Sequence, residues 1–555
     1  MRTFAMITAI LLAMLLASCT SNPSADVIYT NAMVWTGEED QPKAEAVAVR
    51  DGRVIAVGSR ESMKNYSGPS SVVVDVGGKL MLPGFIDDHA HFTAGGFQLQ
   101  NVDLRSANDE REFTARIAAR AGKVPGRWIT GGDWDHDNWP GGRLPTRQMI
   151  DAVTPGTPVF VSRYDGHMAL ANTLVLKQAG ITKETPDPPG GSIVRHPHTG
   201  EPTGILKDEA MGLVWKLMPA ATDTERFEAA ELALDEARKH GLTSIQDISS
   251  DEDIRIYKRL RDQGRLTARI YCRLPLGQWD ELAAQKMRAG SGDEWIRMGS
   301  MKAFVDGSLG SSTALFFEPY LSDPSARGLP SDVAMNGRLE RWACSADSAR
   351  LQLSIHAIGD SANSLVLGIF ERITARNEKW DRRFRVEHAQ HIRPADFARF
   401  AALDVIASVQ PYHAIDDGRW AEGRIGRERC RTAYPFKSFL DHKVRLCFGS
   451  DWTVATLNPL LGIYAAVTRR TTDGKNPQGW FPEEKISVED AVRAYTINNA
   501  YAAFEENDKG TIAPGKLADF VVLSDDIFSI DPVKIPDVKV QMTIVGGAVV
   551  YMNTK

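Results

Sequence analysis

His89 and His91 stand one residue apart in GFIDDHAHF, at the end of an apolar run. In an extended strand, residues i and i+2 share a face, so the two imidazoles would lie side by side. Neutral imidazole is a ligand for zinc and its neighbours. The same pair could also be two polar residues at a strand end, satisfied by water or backbone. Lys302, in MGSMKAFVDGS, lies on a second apolar run. A lysine there is costly unless paired or neutralised. It could bridge to Asp306. Alternatively its neutral amine could capture carbon dioxide as a carbamate, an anionic two-oxygen ligand able to join two cations. His356 in LQLSIHAIGD and His388 in FRVEHAQ end two further runs, and either alone could be a core histidine. Asp451 in LCFGSDW could cap the next segment, or ligate a metal and take a proton from water. Six such residues on successive strand ends make the separate structural readings a poor joint explanation.

The elements that must position them alternate. ERFEAAELALDEARKHG has the apolar spacing of an amphipathic helix, and LTSIQDIS, the strand after it, is apolar. ARIYCRL, IRMGSMKAF, LQLSIHA, FRVEH, VIASVQP and VRLCFGSD are further short apolar runs. Helical stretches such as SANSLVLGIFERITARN and PADFARFAALD separate several of them. This alternation predicts an α/β chain built on a parallel sheet. In a (β/α)8 TIM-type barrel, polar residues at the C-terminal strand ends form the active site. Residues from about 100 to 235 are too long for one crossover and read as a large insertion rich in Trp, Gly and Pro. Both chain ends carry short β-rich runs with Gly turns. They predict a small β-sandwich assembled from residues 19–82 and 505–555, around a barrel of residues 83–504.

The chain has 555 residues and a net charge of -6, with no basic block, which argues against a nucleic-acid partner. Residues 1–18 read as a secretory signal, too short for a comfortable membrane span. Leu16-Ala17-Ser18-Cys19 resembles the lipobox of bacterial lipoproteins. That resemblance implies cleavage before Cys19 and lipid on its sulfur. Thr20 stands where an Asp would signal inner-membrane retention. The expected location is therefore the bacterial cell envelope, at the outer membrane facing the periplasm. Cys272, Cys344, Cys430 and Cys447 are widely spaced and suggest neither a redox motif nor a zinc finger. A homodimer is compatible with the sequence, which leaves the oligomeric state open.

The order His-x-His, Lys, His, His, Asp resembles the metal-dependent amidohydrolase superfamily. LPGFIDDHAHF, GGRLPTR, RYDGHMALAN, TGILKDEA, KAFVDGSLGSSTA, HAIGD, VEHAQ, GSDW and GTIAPGKLADFVVL narrow it to the amidohydrolase-3 group, which includes the YtcJ-like proteins. The resemblance implies that His89, His91, Lys302, His356, His388 and Asp451 are the metal and catalytic positions. It implies one or two divalent ions, with zinc expected, and carboxylated Lys302 between them. It further implies hydrolysis of a small linear amide of N-acyl or N-formyl type by metal-activated water, with Asp451 as proton shuttle. His167 in RYDGHMALAN is a candidate oxyanion or substrate donor, or a loop histidine bonded to Asp165. Trp134, His136 and Trp139 could wall an apolar pocket or simply pack. His413 in QPYHA reads as the end of another strand, lining the same cavity.

Two alternatives stand beside this reading. One is a deaminase, cyclic amidase or lactonase of the same superfamily. Related deaminases usually carry His-x-x-Glu after the fifth strand, whereas HAIGD places Gly359 there. The other is a non-catalytic binding or regulatory lipoprotein, against which the complete six-residue set argues.

Overall fold

The computed structural model describes residues 24–136, 139–164, 166, 168–188, 191–310, 312–321 and 323–554. The signal segment, Cys19, Asp165 and His167 lie outside the described residues.

Eight parallel strands form a nearly closed barrel. They are β1 (Phe85–Ala90), β2 (Leu242–Ile248), β3 (Arg269–Pro275), β4 (Ile296–Phe304), β5 (Gln352–Ala357), β6 (Arg385–His388), β7 (Ile406–Val409) and β8 (Leu446–Phe448). Each pairs with the next in sequence. A bridge between Ala90 and Trp452 brings the two ends together. The α/β barrel expected from the alternation is therefore present.

Helices return the chain between strands. Asp223–Lys239 precedes β2; its Thr222 and Glu225 form a reciprocal capping box. Ala229, Ala230, Ala233 and Ala237 are buried along one face of it, as one apolar stripe requires. Pro394–Ala402, before β7, starts with proline in its first turn, where the missing N–H costs nothing.

Between β1 and β2 lies a mixed six-stranded sheet spanning residues 102–208. It runs Gly191–Arg195, Pro202–Asp208, Met168–Ala171, Phe160–Arg163, Gly131–Trp134, Val102–Asp103. The Trp- and Gly-rich segment thus contributes strands Gly131–Trp134, Phe160–Arg163 and Met168–Ala171 to this sheet. Trp134 and Trp139 pack with Phe113 in its core. Their indole N–H groups donate to Val161 O at 2.8 Å and Ala107 O at 2.9 Å. They serve packing in place of a pocket wall.

Two more sheets sit outside the barrel. One is N-terminal, in the order Arg53–Gly58, Ala46–Arg50, Val27–Thr30, Val72–Asp75. The other joins Ala548–Met552, Val540–Val545 and Phe520–Leu523 to Leu80–Pro83, Met33–Trp35 and Lys43–Ala44. Phe520–Leu523 pairs antiparallel with Leu80–Pro83, the strand that leads directly into β1. Cys272, Cys344, Cys430 and Cys447 are free thiols. Among the described residues, no helix is long and apolar enough to cross a membrane.

Candidate metal centre

His89 ends β1 inside the barrel and His91 follows as the chain turns into the helix Phe92–Gln100. Two backbone hydrogen bonds tie this turn to the segment after β8. Asp451 N–H donates to His89 O and His91 N–H to Trp452 O, each at 2.7 Å. Asp451 is thereby set between the histidines, with Oδ1 3.5 Å from His89 Nε2 and 3.4 Å from His91 Nε2. The approach leaves no room for a side chain at Gly449. A Cβ there would meet Asp88 Oδ1 and His89 N, each at 2.6 Å.

His356 and His388 close the group from β5 and β6. Ring centroids are 4.4 Å apart for His356 and His388, and 4.9 Å for His89 and His388. Lys302, from β4, is 3% exposed, and its Nζ lies 3.4 Å from His89 Nε2. The six residues singled out along the sequence therefore meet at one end of the barrel. Asp306 does not bridge to Lys302. It instead accepts backbone N–H groups of Leu315, Ile358 and Gly359 at 2.8, 3.0 and 2.9 Å.

Hydrogen bonds fix which imidazole nitrogen is free. His388 Nδ1–H donates to Gln410 Oε1 at 2.7 Å, turning Nε2 toward the centre. His356 Nε2–H donates to Gly307 O at 3.2 Å. His89 Nδ1–H donates to the Glu387 carboxylate. Burial lowers His89 and His388 well below the ordinary imidazole range and takes His356 to about 3. The neutral form is the one that ligates a metal. Burial also takes the Lys302 amine down to about 7. Burial pushes the Asp451 carboxyl up, but His91, His89 and His388 reverse this and hold it well below the usual carboxylate range.

Two sets of donor atoms emerge, His89, His91 and Asp451, and His388, His413 and Asp451, the atoms of each within 4.8 Å of one another. Imidazoles converging on a shared carboxylate fit a divalent cation. His413 is in the helix Pro411–Asp417, beyond the end of β7, and not at a strand end as its apolar surroundings suggest.

Glu387 carries a role invisible in the sequence. It is fully buried inside the barrel with Arg273 and Arg385. Its Oε1 accepts from Ser354 Oγ at 2.6 Å and lies 2.9 Å from Arg273 Nη1 and Arg385 Nε. Its Oε2 accepts from Ser408 Oγ at 2.7 Å and from His89. Burial pushes this carboxyl up, yet the two guanidinium groups hold it well below its ordinary range. Strand alternation would send Glu387 and His388 to opposite faces. His388 has φ of 71°, which breaks the alternation and lets both serve the same centre. Glu387→Gln should weaken metal binding about 10–100-fold, the usual effect of removing a partner behind a ligand histidine. It also removes the counter-charge of buried Arg273 and one of the two that face buried Arg385, Asp88 at 3.1 Å being the other, which should cost about 3–5 kcal/mol. Chelator competition and thermal unfolding would measure the two effects. Wild-type values in both would remove Glu387 from this role.

The amidohydrolase family profile matches residues 72–551. Protein LONG AFTER FAR-RED 3 of Arabidopsis thaliana is 41% identical over 544 residues, covering 95% of this chain and 92% of the relative. Putative amidohydrolase YtcJ of Bacillus subtilis is 31% identical, covering 94% and 99%. N-substituted formamide deformylase of Arthrobacter pascens is 27% identical, covering 95% and 99%. The crystal structure of an uncharacterized metal-dependent hydrolase from Pyrococcus horikoshii superposes with a TM-score of 0.76 at 28% identity, covering 91% of this chain and 99% of that one. Profile, relatives and barrel agree, and the chain belongs to the amidohydrolase family.

Proposed function

We propose that the protein hydrolyses carbon–nitrogen bonds other than peptide bonds, in a small linear amide of N-acyl or N-formyl type. The observation that carries this reading is Asp451, whose carboxylate belongs to both donor sets. When bound, divalent ions, with zinc favoured by imidazole and carboxylate donors, polarise the amide carbonyl and make water acidic enough to attack at neutral pH. His89, His91 and His388 would hold those ions, and Asp451 would accept the proton of the attacking water. The same carboxyl then delivers that proton to the leaving amine nitrogen. Phe304 is 44% exposed, with its ring 5.2 Å from His356, and offers an apolar face for a substituent of the amide. Similarity to the formamide deformylase supports the linear-amide class.

Deamination is disfavoured by space as well as by sequence. A Cβ at Gly359 would come within 2.0 Å of Leu315 O, so the acidic side chain of His-x-x-Glu has no room there. Protein purified without chelator should contain one or two divalent ions per chain by elemental analysis. It should cleave members of a panel of N-substituted formamides and N-acyl amino acids in preference to lactones and cyclic amides. A metal-free protein with full hydrolytic activity would end this proposal.

We also propose a lipid anchor on Cys19, on the strength of the LASC segment. Wild-type protein should incorporate labelled fatty acid and Cys19→Ser should not. Equal labelling of the two would contradict the anchor.

A further inference from the structure

We propose that His413 is a ligand of a second divalent cation, together with His388 and Asp451. The inference rests on the metal-dependent reading above and adds a residue that the six-residue pattern omits.

Three observations converge on His413. Its donor atom lies within 4.8 Å of those of His388 and Asp451, so one ion could touch all three. Its Nε2 is buried and has no hydrogen-bond partner among the described residues. A buried imidazole nitrogen left unpaired costs free energy, which a cation would recover. The third observation is the turn that delivers it. β7 ends at Val409, and Pro411 starts a helix at once, with the His413 N–H bonded to Gln410 O at 3.1 Å. This one turn sets Gln410 against His388 Nδ1, leaving His388 Nε2 as its free donor, and carries His413 beside Asp451.

His356 is placed differently. Its Nε2–H donates to Gly307 O at 3.2 Å, which leaves Nδ1 as its free nitrogen, and it joins neither donor set. The donor set that includes His413 is thus drawn from β6, the turn after β7 and the segment after β8. Asp451 is held there with φ of 53°, in the left-handed region that non-glycine residues seldom occupy. That strain is accepted at the one residue common to both donor sets.

The test is metal binding, read apart from turnover. Wild type, His413→Ala and His413→Gln would be loaded with Zn(II) or Co(II), then titrated with a competing chelator. Bound metal would be counted by elemental analysis, and the Co(II) visible spectrum recorded in parallel. Both variants should lose affinity for one ion by about 100-fold or more, at or beyond the upper end of the effect of removing a supporting group. The Co(II) spectrum should change with it. Free imidazole should restore the lost ion in His413→Ala, because it supplies the missing nitrogen. A merely structural histidine would not be rescued in this way. Wild-type affinity and spectrum in both variants would overturn the proposal and leave His413 as a pocket wall. A wild type that takes up no divalent cation would instead refute the metal-dependent reading on which the proposal stands.

Discussion

Asp451→Asn is expected to keep its fold and most of its metal while losing turnover by at least about 10²–10⁴-fold, the worth of general acid–base catalysis. The amide keeps one oxygen toward His89 and His91, but it cannot take a proton from water. Proton transfer belongs to the transition state, so the loss should fall on kcat and not only on KM. Steady-state kinetics of metal-loaded protein would show this split. A kcat near wild type would move the base to another residue, and His167 would be the next to replace. The pH profile gives a second check. Burial keeps His89, His356 and His388 neutral far below the ordinary imidazole value of 6.5. Protons then displace the ions only at correspondingly low pH. The part of the acid limb set by protonation of these three histidines should therefore lie below 6.5, with activity falling as pH falls.

Lys302→Ala should lower activity by a factor on the order of 10²–10³, comparable to deleting one preorganised electrostatic group. Short carboxylic acids should restore part of it. The reason is the state of the amine. Lys302 is buried among imidazoles, Asp306 is occupied by backbone N–H groups, and burial takes the amine to about 7. A large neutral fraction exists at neutral pH, and its nitrogen can add to the carbon of carbon dioxide. In the proposed carboxylation the new N–C bond would form as a proton leaves nitrogen, giving an anionic carbamate with two oxygen donors. Propionate or acetate in the space left by Lys302→Ala offers the same two oxygens. A high-resolution map showing a bare ammonium beside fully occupied metals would contradict carboxylation, as would a variant that no carboxylate rescues.

The barrel and the six site residues were legible for one physical reason. Many of the strands lie in short segments rich in apolar residues, such as IASV and LCF, and a charged or imidazole side chain at or just beyond the end of such a segment stands out against that background. What was not legible depends on backbone departures from regular alternation. Glu387 hides beside His388 because the positive φ at His388 redirects one neighbour without any mark in residue type. His413 reads as a strand end because VIASVQPYHA stays largely apolar, while the chain has already turned at Pro411. The insertion resisted for another reason. Several of its strands are only two to five residues long, broken by Gly and Pro, and mix parallel with antiparallel pairing. Neither helical nor strand periodicity can accumulate over so few residues.

The sheet that joins Leu80–Pro83 to Phe520–Leu523 has a consequence for the order of biosynthesis. Gly84, the residue before β1, donates its N–H to Asp519 O at 2.9 Å, so the approach to His89 is stitched to the far end of the polypeptide. Ribosomes deliver the chain from the N-terminus. During elongation, Leu80–Pro83 has Met33–Trp35 on one edge and nothing on the other, an unpaired edge of the kind that invites wrong partners. The loose end closes only when residues 519–523 arrive, after all eight barrel strands have been made. The ligand-bearing turn after β1 is thus written early and locked late. The growing polypeptide depends on whatever shields this open edge in the meantime.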